Sequence, residues 1–245
     1  MKLFVDIGNT AIKWASEKDL HSHIIHRASS HALPEAIDLP WSEMPEPDTV
    51  HIASVRQQNI VNNLTSWISL NWRANVRISE TMHQELGVKN GYTIPSQLGV
   101  DRWLALLAAR RISSRPVIVV DLGSATTIDG LDGEGRHLGG IIIPGLQLYA
   151  KCLDLNTDLS IDNSNLNLND FATDTATGVQ SGAMLSHLCM VERSLLRLME
   201  LFGGSAECIL TGGNAHQLSE YLTIAHQVVP DLVIQGLALQ STQAN

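Results

Sequence analysis

Asp6-Ile7-Gly8-Asn9-Thr10, which follows the apolar run Leu3-Phe4-Val5, sets the fold of this chain, because its pattern returns about 115 residues later as Asp121-Leu122-Gly123-Ser124-Ala125-Thr126-Thr127 after Val117-Ile118-Val119-Val120. In each segment an apolar run predicts a buried strand that delivers an Asp to its end. A Gly then lets the backbone turn tightly against a ligand, and hydroxyls and amides line the turn. That set of groups suits a phosphate and its metal ion. Two such turns on similar halves predict two domains that face each other across a nucleotide.

Length and composition agree. At 245 residues the chain holds one large domain or two of moderate size, and the repeated turn favours two. With 44% hydrophobic residues and a mean hydropathy near zero, there is ample apolar material for packed cores. The formal net charge of -9, from 25 acidic and 16 basic residues, argues against a nucleic-acid partner and leaves any anionic substrate to be held locally, by Lys13, bound cations and turn amides. Cys152, Cys189 and Cys208 lack C-x-x-C spacing and are odd in number, so they are expected as buried thiols rather than a disulfide framework or a zinc site. No secretory h-region and no apolar run of about 18 residues is present, so no membrane association is expected and a cytoplasmic location is the default.

Along the chain, residues 2–5 and 11–15 read as strands, and a third strand is expected over His21 to Arg27 after a polar turn at Glu17-Lys18-Asp19. Four prolines between Pro34 and Pro47 limit any helix around Ala32 to Asp38. Strand, helix and strand follow over 50–55, 60–70 and 75–78, and a strongly helical stretch runs from Leu98 to Ile112. Ser113-Ser114-Arg115-Pro116 marks a boundary, which places the domains at 1–114 and 115–245. The second half repeats the order, with strands at 117–121, 126–131 and 136–143, a helix from Leu146, a polar loop over 156–170 and a long helix over about 179–202. The strand 207–210, the turn Thr211-Gly212-Gly213, a helix from Ala215 and a last strand-helix pair complete it.

The chemistry gathers on few residues. Asp6, Gly8, Asn9, Thr10 and Lys13 suit ordering of Mg²⁺ through water and holding of phosphate oxygens, as phosphoryl transfer requires. The alternative is a hairpin whose Asp accepts turn hydrogen bonds and whose Lys is solvated. Repetition of the pattern at Asp121, Gly123, Ser124, Thr126 and Thr127 favours the ligand. Gly99-Val100-Asp101-Arg102 opens a helix, where an Asp serves either as a dipole partner or as a general base on a substrate hydroxyl beside an anion-pairing Arg. No Walker A or G-x-G-x-x-G spacing occurs.

Taken together, Asp6 to Lys13, Tyr92 ahead of Gly99-Val100-Asp101-Arg102, Asp121 to Thr127, and Gly139-Gly140-Ile141-Ile142-Ile143-Pro144-Gly145 resemble the type III pantothenate kinases, within the actin, Hsp70 and sugar-kinase superfamily. The resemblance implies an α/β fold of two ribonuclease-H-like domains, each a mixed sheet flanked by helices, with the active site in the cleft between them. It implies ATP-dependent phosphorylation of pantothenate, the first step of coenzyme A synthesis, with Asp101 as proton acceptor. By the same resemblance Tyr92, Gly99, Val100, Arg102 and Thr175 lie at the pantothenate site. Asp6, Gly8, Asn9, Thr10, Lys13 and Ser124 bind ATP, with Asp6 also on Mg²⁺ through water. Asp121 binds a monovalent cation, K⁺ or NH₄⁺, and the protein is a homodimer.

Two departures from the family pattern stand out. Ser124 replaces a usual Thr, which keeps the hydroxyl, and Gly178 stands where Ala is expected. A regulator that keeps the fold without efficient catalysis is the rival from another class, against which Asp6, Lys13, Asp101 and Asp121 speak. His21, His23 and His26 are expected on a solvated strand rather than around a metal, and Trp67, Trp72 and Trp103 in the core or an interface. Thr211-Gly212-Gly213 reads equally as an approach to adenosine or as a plain strand-to-helix turn.

Overall fold

The structure, a computed structural model, describes residues 1–29, 41, 44–56, 58–154 and 168–243. Its contacts divide it into two units, Met1–Ala108 with Asp231–Asn245, and Ala109–Pro230. The first unit begins with β1 (Lys2–Ile7), β2 (Ala11–Ser16), α1 (Glu17–His21), β3 (His26–Ser29), β4 (Thr49–Ser54), α2 (Gln58–Asn71) and β5 (Asn75–Ile78). A small hairpin of β6 (Gln84–Glu85) and β7 (Val88–Lys89) leads to α3 (Val100–Ile112). The second unit carries β8 (Val117–Leu122), β9 (Ala125–Leu131), β10 (His137–Pro144), α4 (Leu146–Asp154), α5 (Thr175–Phe202), β11 (Glu207–Thr211), α6 (Ala215–Ser219) and β12 (Gln227–Val228). The chain then returns to the first unit as α7 (Leu232–Gln240).

Each unit is built on a five-stranded mixed sheet of the same plan, in the order β3-β2-β1-β4-β5 and β10-β9-β8-β11-β12. In both, the strand that ends in the acidic turn is central. It pairs antiparallel with the strand after the turn and parallel with its other neighbour. Centrality explains the unbroken apolar runs, since β1 and β8 are covered on both faces.

In the first unit Leu3, Val5, Ile7, Ile12, Val50 and Ile52 pack against Ile60, Leu64 and Ile68 of α2. The ring of Trp41 lies 5.8–6.0 Å from those of Trp14, Trp67 and Trp72, which makes this layer an aromatic one, and Trp103 is fully buried. In the second unit α5 presents Met184, Leu188, Val191, Leu195 and Leu198 to Ile118, Val120, Leu122 and Ile128.

The structure departs from expectation at four places. The segment after β2 is not a turn and strand but α1, because Ser16 and Asp19 form a reciprocal capping box. The Ser16 hydroxyl accepts from the Asp19 N–H at 3.1 Å, and the Asp19 carboxylate from the Ser16 N–H at 2.9 Å. Consequently His21 and His23 share no strand with His26, which stacks on Trp14 at 5.6 Å. The contact division falls within α3 rather than at 114/115, and residues 231–245 join the first unit, where α7 packs on β1, β2 and β4. The long helix starts at Thr175 because the Asp174 side chain caps it, accepting from the Thr177 N–H at 2.9 Å. Of the thiols, Cys208 is buried, whereas Cys152 and Cys189 sit exposed on α4 and α5. The helix expected around 32–38 and most of the 156–170 loop lie outside the described residues. Among the described residues no helix is long and apolar enough to cross a membrane.

Candidate active site

The first turn closes through a hydrogen bond from the Gly8 N–H to the Ala11 carbonyl at 3.0 Å. A Cβ on Gly8 would stand 3.1 Å from that oxygen, so the glycine keeps the hairpin tight. Asn9 and Thr10 are exposed at its tip, while Asp6 is buried at the end of β1, directly across from Lys13. Arg56, which sequence reading missed, braces the turn by donating to the Asn9 carbonyl at 2.9 Å. The ammonium of Lys13 lies 3.0 Å from the buried carboxylate of Asp231.

In the second unit the turn closes in the same way, Gly123 N–H to Ala125 carbonyl at 3.2 Å. The Asp121 carboxylate lies in a cradle of backbone. A Cβ on Gly212 would stand 2.4 Å from its Oδ1, and one on Gly123 3.5 Å. Gly212 has a φ of +91°, the left-handed region that glycine enters without strain. Asp121 faces Thr127 on β9 and Thr211 on β11 in register. The Thr211-Gly212-Gly213 turn is therefore built onto the second acidic turn, and Asn214 ties it there by donating to the Leu122 carbonyl from its N–H at 3.1 Å and from Nδ2 at 3.3 Å. Gln147 of α4 holds the Asn214 amide with two side-chain bonds. Gly145 donates to the Ser124 carbonyl at 3.1 Å, and a Cβ there would stand 2.3 Å from the Gly123 carbonyl. The Gly139 to Gly145 motif thus ends in a residue that only glycine can be.

Asp101 lies in the first turn of α3, with its carboxylate folded back so that a Cβ on Gly99 would stand 2.6 Å from Oδ1. That oxygen accepts from the Arg102 N–H at 2.7 Å. The Arg102 guanidinium, buried, reaches the Tyr92 hydroxyl at 2.9 Å and lies 5.6 Å from the Tyr92 ring centroid. Asn90, unnoticed in the sequence, shapes the loop that carries Tyr92. It is buried, accepts from the Tyr92 N–H at 2.9 Å and donates to the Met82 and Pro95 carbonyls. Gly99 and Val100 line a cavity of about 530 Å³ with Ser54, Ser79, Glu80 and Thr81. Thr175 is exposed at the start of α5, beside Asp174, whose carboxyl is held below its usual range by the Thr177 backbone N–H.

A family model for type III pantothenate kinase matches residues 2–197. The chain belongs to that family. The type III pantothenate kinase of Nitrosospira multiformis is 34% identical over 237 residues, 96% of this chain and 88% of that protein. The one of Azoarcus sp. is 34% identical over 251 residues, 98% and 90%. Among solved structures, a conserved protein assigned to a Baf family of transcriptional activators, from Campylobacter jejuni, superimposes with a TM-score of 0.64 at 19% identity, covering 98% of each chain. A protein assigned as a 2-dehydro-3-deoxygalactonokinase, from Sinorhizobium meliloti, gives 0.51 at 13% identity over 99% of each chain. These two likenesses concern the fold alone. The motifs of this pantothenate kinase family member all fall inside the matched span, at the ends of β1 and β8, ahead of α3 and at the end of β10.

The oxygen donors fit hard cations. Among the described residues no cluster of three or more His, Cys, Asp or Glu could hold a metal by itself. Mg²⁺ is ordinarily held through one or two carboxylates plus substrate phosphates, so the single carboxylate of Asp6 fits such an ion. The Asp121 carboxylate, closed in by the Gly212 and Leu122 backbone, is likewise a hard oxygen donor suited to a cation.

Proposed function

We propose that this chain transfers the terminal phosphoryl group of ATP to the primary hydroxyl of pantothenate, with Asp101 as proton acceptor. The observation that supports this most is the family match over residues 2–197, which takes in the two acidic turns, Tyr92, the Gly99 to Arg102 segment and the Gly139 to Gly145 segment. The first turn and Lys13 hold phosphate oxygens, with Ser124 adding a hydroxyl from the second turn. Asp6 orders Mg²⁺ through water, and Asp121 holds K⁺ or NH₄⁺. When bound, the cations offset charge on the polyphosphate. Tyr92, Gly99, Val100 and Arg102 hold pantothenate, with Arg102 pairing its carboxylate, and Thr175 reaches the same substrate in a homodimer. The protein works in the cytoplasm.

Asp101 acts chiefly by orientation. Phosphoryl transfer proceeds through a loose transition state with little early demand for proton removal, so a carboxylate that aligns the hydroxyl contributes mainly through positioning. Asp101 then takes the proton as the O–P bond forms. The reaction is tested by coupled ADP release with pantothenate as acceptor, in K⁺ and then in Na⁺. Pantothenate-dependent release that needs K⁺ is expected. Asp101→Asn should fold normally and lose about 10²- to 10⁴-fold in kcat. Release with a sugar but not pantothenate would reassign the acceptor, and no release with any acceptor would leave the fold to a regulatory role.

A further inference from the structure

Asp6, Lys13 and Arg27 are cross-strand neighbours, Asp6 opposite Lys13 and Lys13 opposite Arg27, so their side chains leave one face of the sheet in a row. Over that row lies Asp231, the residue that leads into α7. Its carboxylate is 5% exposed and takes the Lys13 ammonium at 3.0 Å and the Arg27 guanidinium at 3.0 and 3.2 Å. Asp231 adopts φ +53°, ψ +42°, a left-handed conformation that is costly for a residue with a side chain and is tolerated best by Asn and Asp. The two ion pairs hold it there, and with them the first turn of α7.

Two cations share the Asp231 carboxylate, and with Asp6 across from Lys13 the four charges balance. The Lys13 side chain is 17% exposed, and its ammonium, fixed on one side by Asp231, keeps donors for a ligand on the other. An unpaired lysine on four rotatable bonds would sweep many positions, and a fixed one loses less freedom when an anion arrives.

We propose that Asp231 is a positioning residue for nucleotide binding, which fixes the Lys13 ammonium beside the first turn so that it meets a polyphosphate oxygen. The inference rests on the reading of Lys13 as a phosphate ligand. It adds a residue more than 200 positions away that no motif of the turn contains.

Asp231→Asn tests it. Asn tolerates the same backbone conformation, and both cations keep access to water, so the fold should stand. Titration calorimetry with Mg-ATP, without acceptor, should show affinity weakened about tenfold or more, the scale of one charge-assisted contact. In kinetics KM for ATP should rise while KM for pantothenate stays within about twofold. A purely structural role would lower Tm and disturb both substrates alike. A cycle decides between them: in a Lys13→Met background, Asp231→Asn should cost less than about twofold more, because it acts through the lysine. Additive losses would overturn the inference and leave the kinase reading intact. Nucleotide binding with the expected cycle, but no phosphorylation of pantothenate, would overturn the acceptor and leave the inference. A wild-type protein that binds no nucleotide would overturn both. Should Asp231→Asn fail to fold, the same cycle with Asp231→Glu gives the same two answers.

Discussion

Arg102 donates from Nη1 to the hydroxyl of Tyr92 at 2.9 Å, which joins the first turn of α3 to the loop that Asn90 shapes. Tyr92→Phe removes that acceptor from an arginine that is only 7% exposed. The loss of one such bond costs about 1 kcal/mol of stability. Because Arg102 would then be less firmly aimed, KM for pantothenate should rise about 3- to 30-fold with kcat within about threefold and KM for ATP unchanged. Steady-state kinetics with each substrate varied in turn checks the split.

Gly99→Ala should injure catalysis far more than stability. The new methyl would stand 2.6 Å from Asp101 Oδ1, but that oxygen ends a short rotatable side chain and can swing aside. Swinging aside, however, breaks its bond with the Arg102 N–H and moves the proposed proton acceptor. Misplacement of a catalytic group by about 1 Å can cost roughly 10²-fold, so kcat should fall by about that factor while the urea midpoint barely moves. An unchanged kcat would show that the carboxylate position seen here is not the working one.

These sites differ in how much of them local sequence could reveal. The two turns are legible because an apolar run followed by Asp-x-Gly reports both a covered strand and a tight bend within a few residues. Asn90, Asn214, Gln147 and Arg56 were not, since each acts through a bond to a residue elsewhere in its unit and sits in no repeating pattern. Asn214 had the one available signal, a polar residue directly after Gly-Gly at a strand end. The only sign of helix α1 is the Ser16-x-x-Asp19 cap, a four-residue signal that lies beside the strand-like His21 to Arg27 stretch. The return of 231–245 to the first unit had no local sign, for α7 is apolar nearly all round and its sequence does not say which sheet it will cover.

Asp121→Asn should abolish selection among monovalent ions. The carboxylate is the charged member of a cradle otherwise made of backbone, and a neutral amide lowers its hold on any cation. Wild-type activity is expected to rise with K⁺ or NH₄⁺ and not with Na⁺. In the variant the curve should flatten, with kcat in saturating K⁺ reduced at least about tenfold. Activity measured against salt identity at constant ionic strength gives the answer.

His51 sets an acid limit on the first unit. It is buried against Phe4, at 5.5 Å between ring centroids, and burial, followed by the nearby Lys2 and Arg77 charges, pushes its pKa down to about 4, with Glu17 opposing. A folded pKa below the unfolded one means that the unfolded chain binds the proton more readily. The stability from keeping His51 neutral is thus complete above the unfolded value near 6.5 and is lost as pH falls towards 4, by up to about 3 kcal/mol. Urea unfolding between pH 4 and 7 should show this slope in the wild type and a shallower one in His51→Gln, which does not titrate.

One substitution, Gly to Ala, should act with opposite signs at two helical positions. Gly236 lets α7 lie against α3, and a Cβ there would stand 2.0 Å from the Leu104 carbonyl oxygen and 2.6 Å from its carbon. Both are backbone atoms that cannot step aside singly, so Gly236→Ala must push the helices apart and should cost about 1–3 kcal/mol. Gly178 lies in the first turn of α5, where a Cβ would meet only the Ala172 methyl at 4.0 Å. With space available and helical backbone already in place, Gly178→Ala removes freedom from the unfolded chain and should add about 0.4–1 kcal/mol. Thermal and urea unfolding of the two variants should therefore move to either side of the wild type, and equal shifts of one sign would contradict the packing around α7.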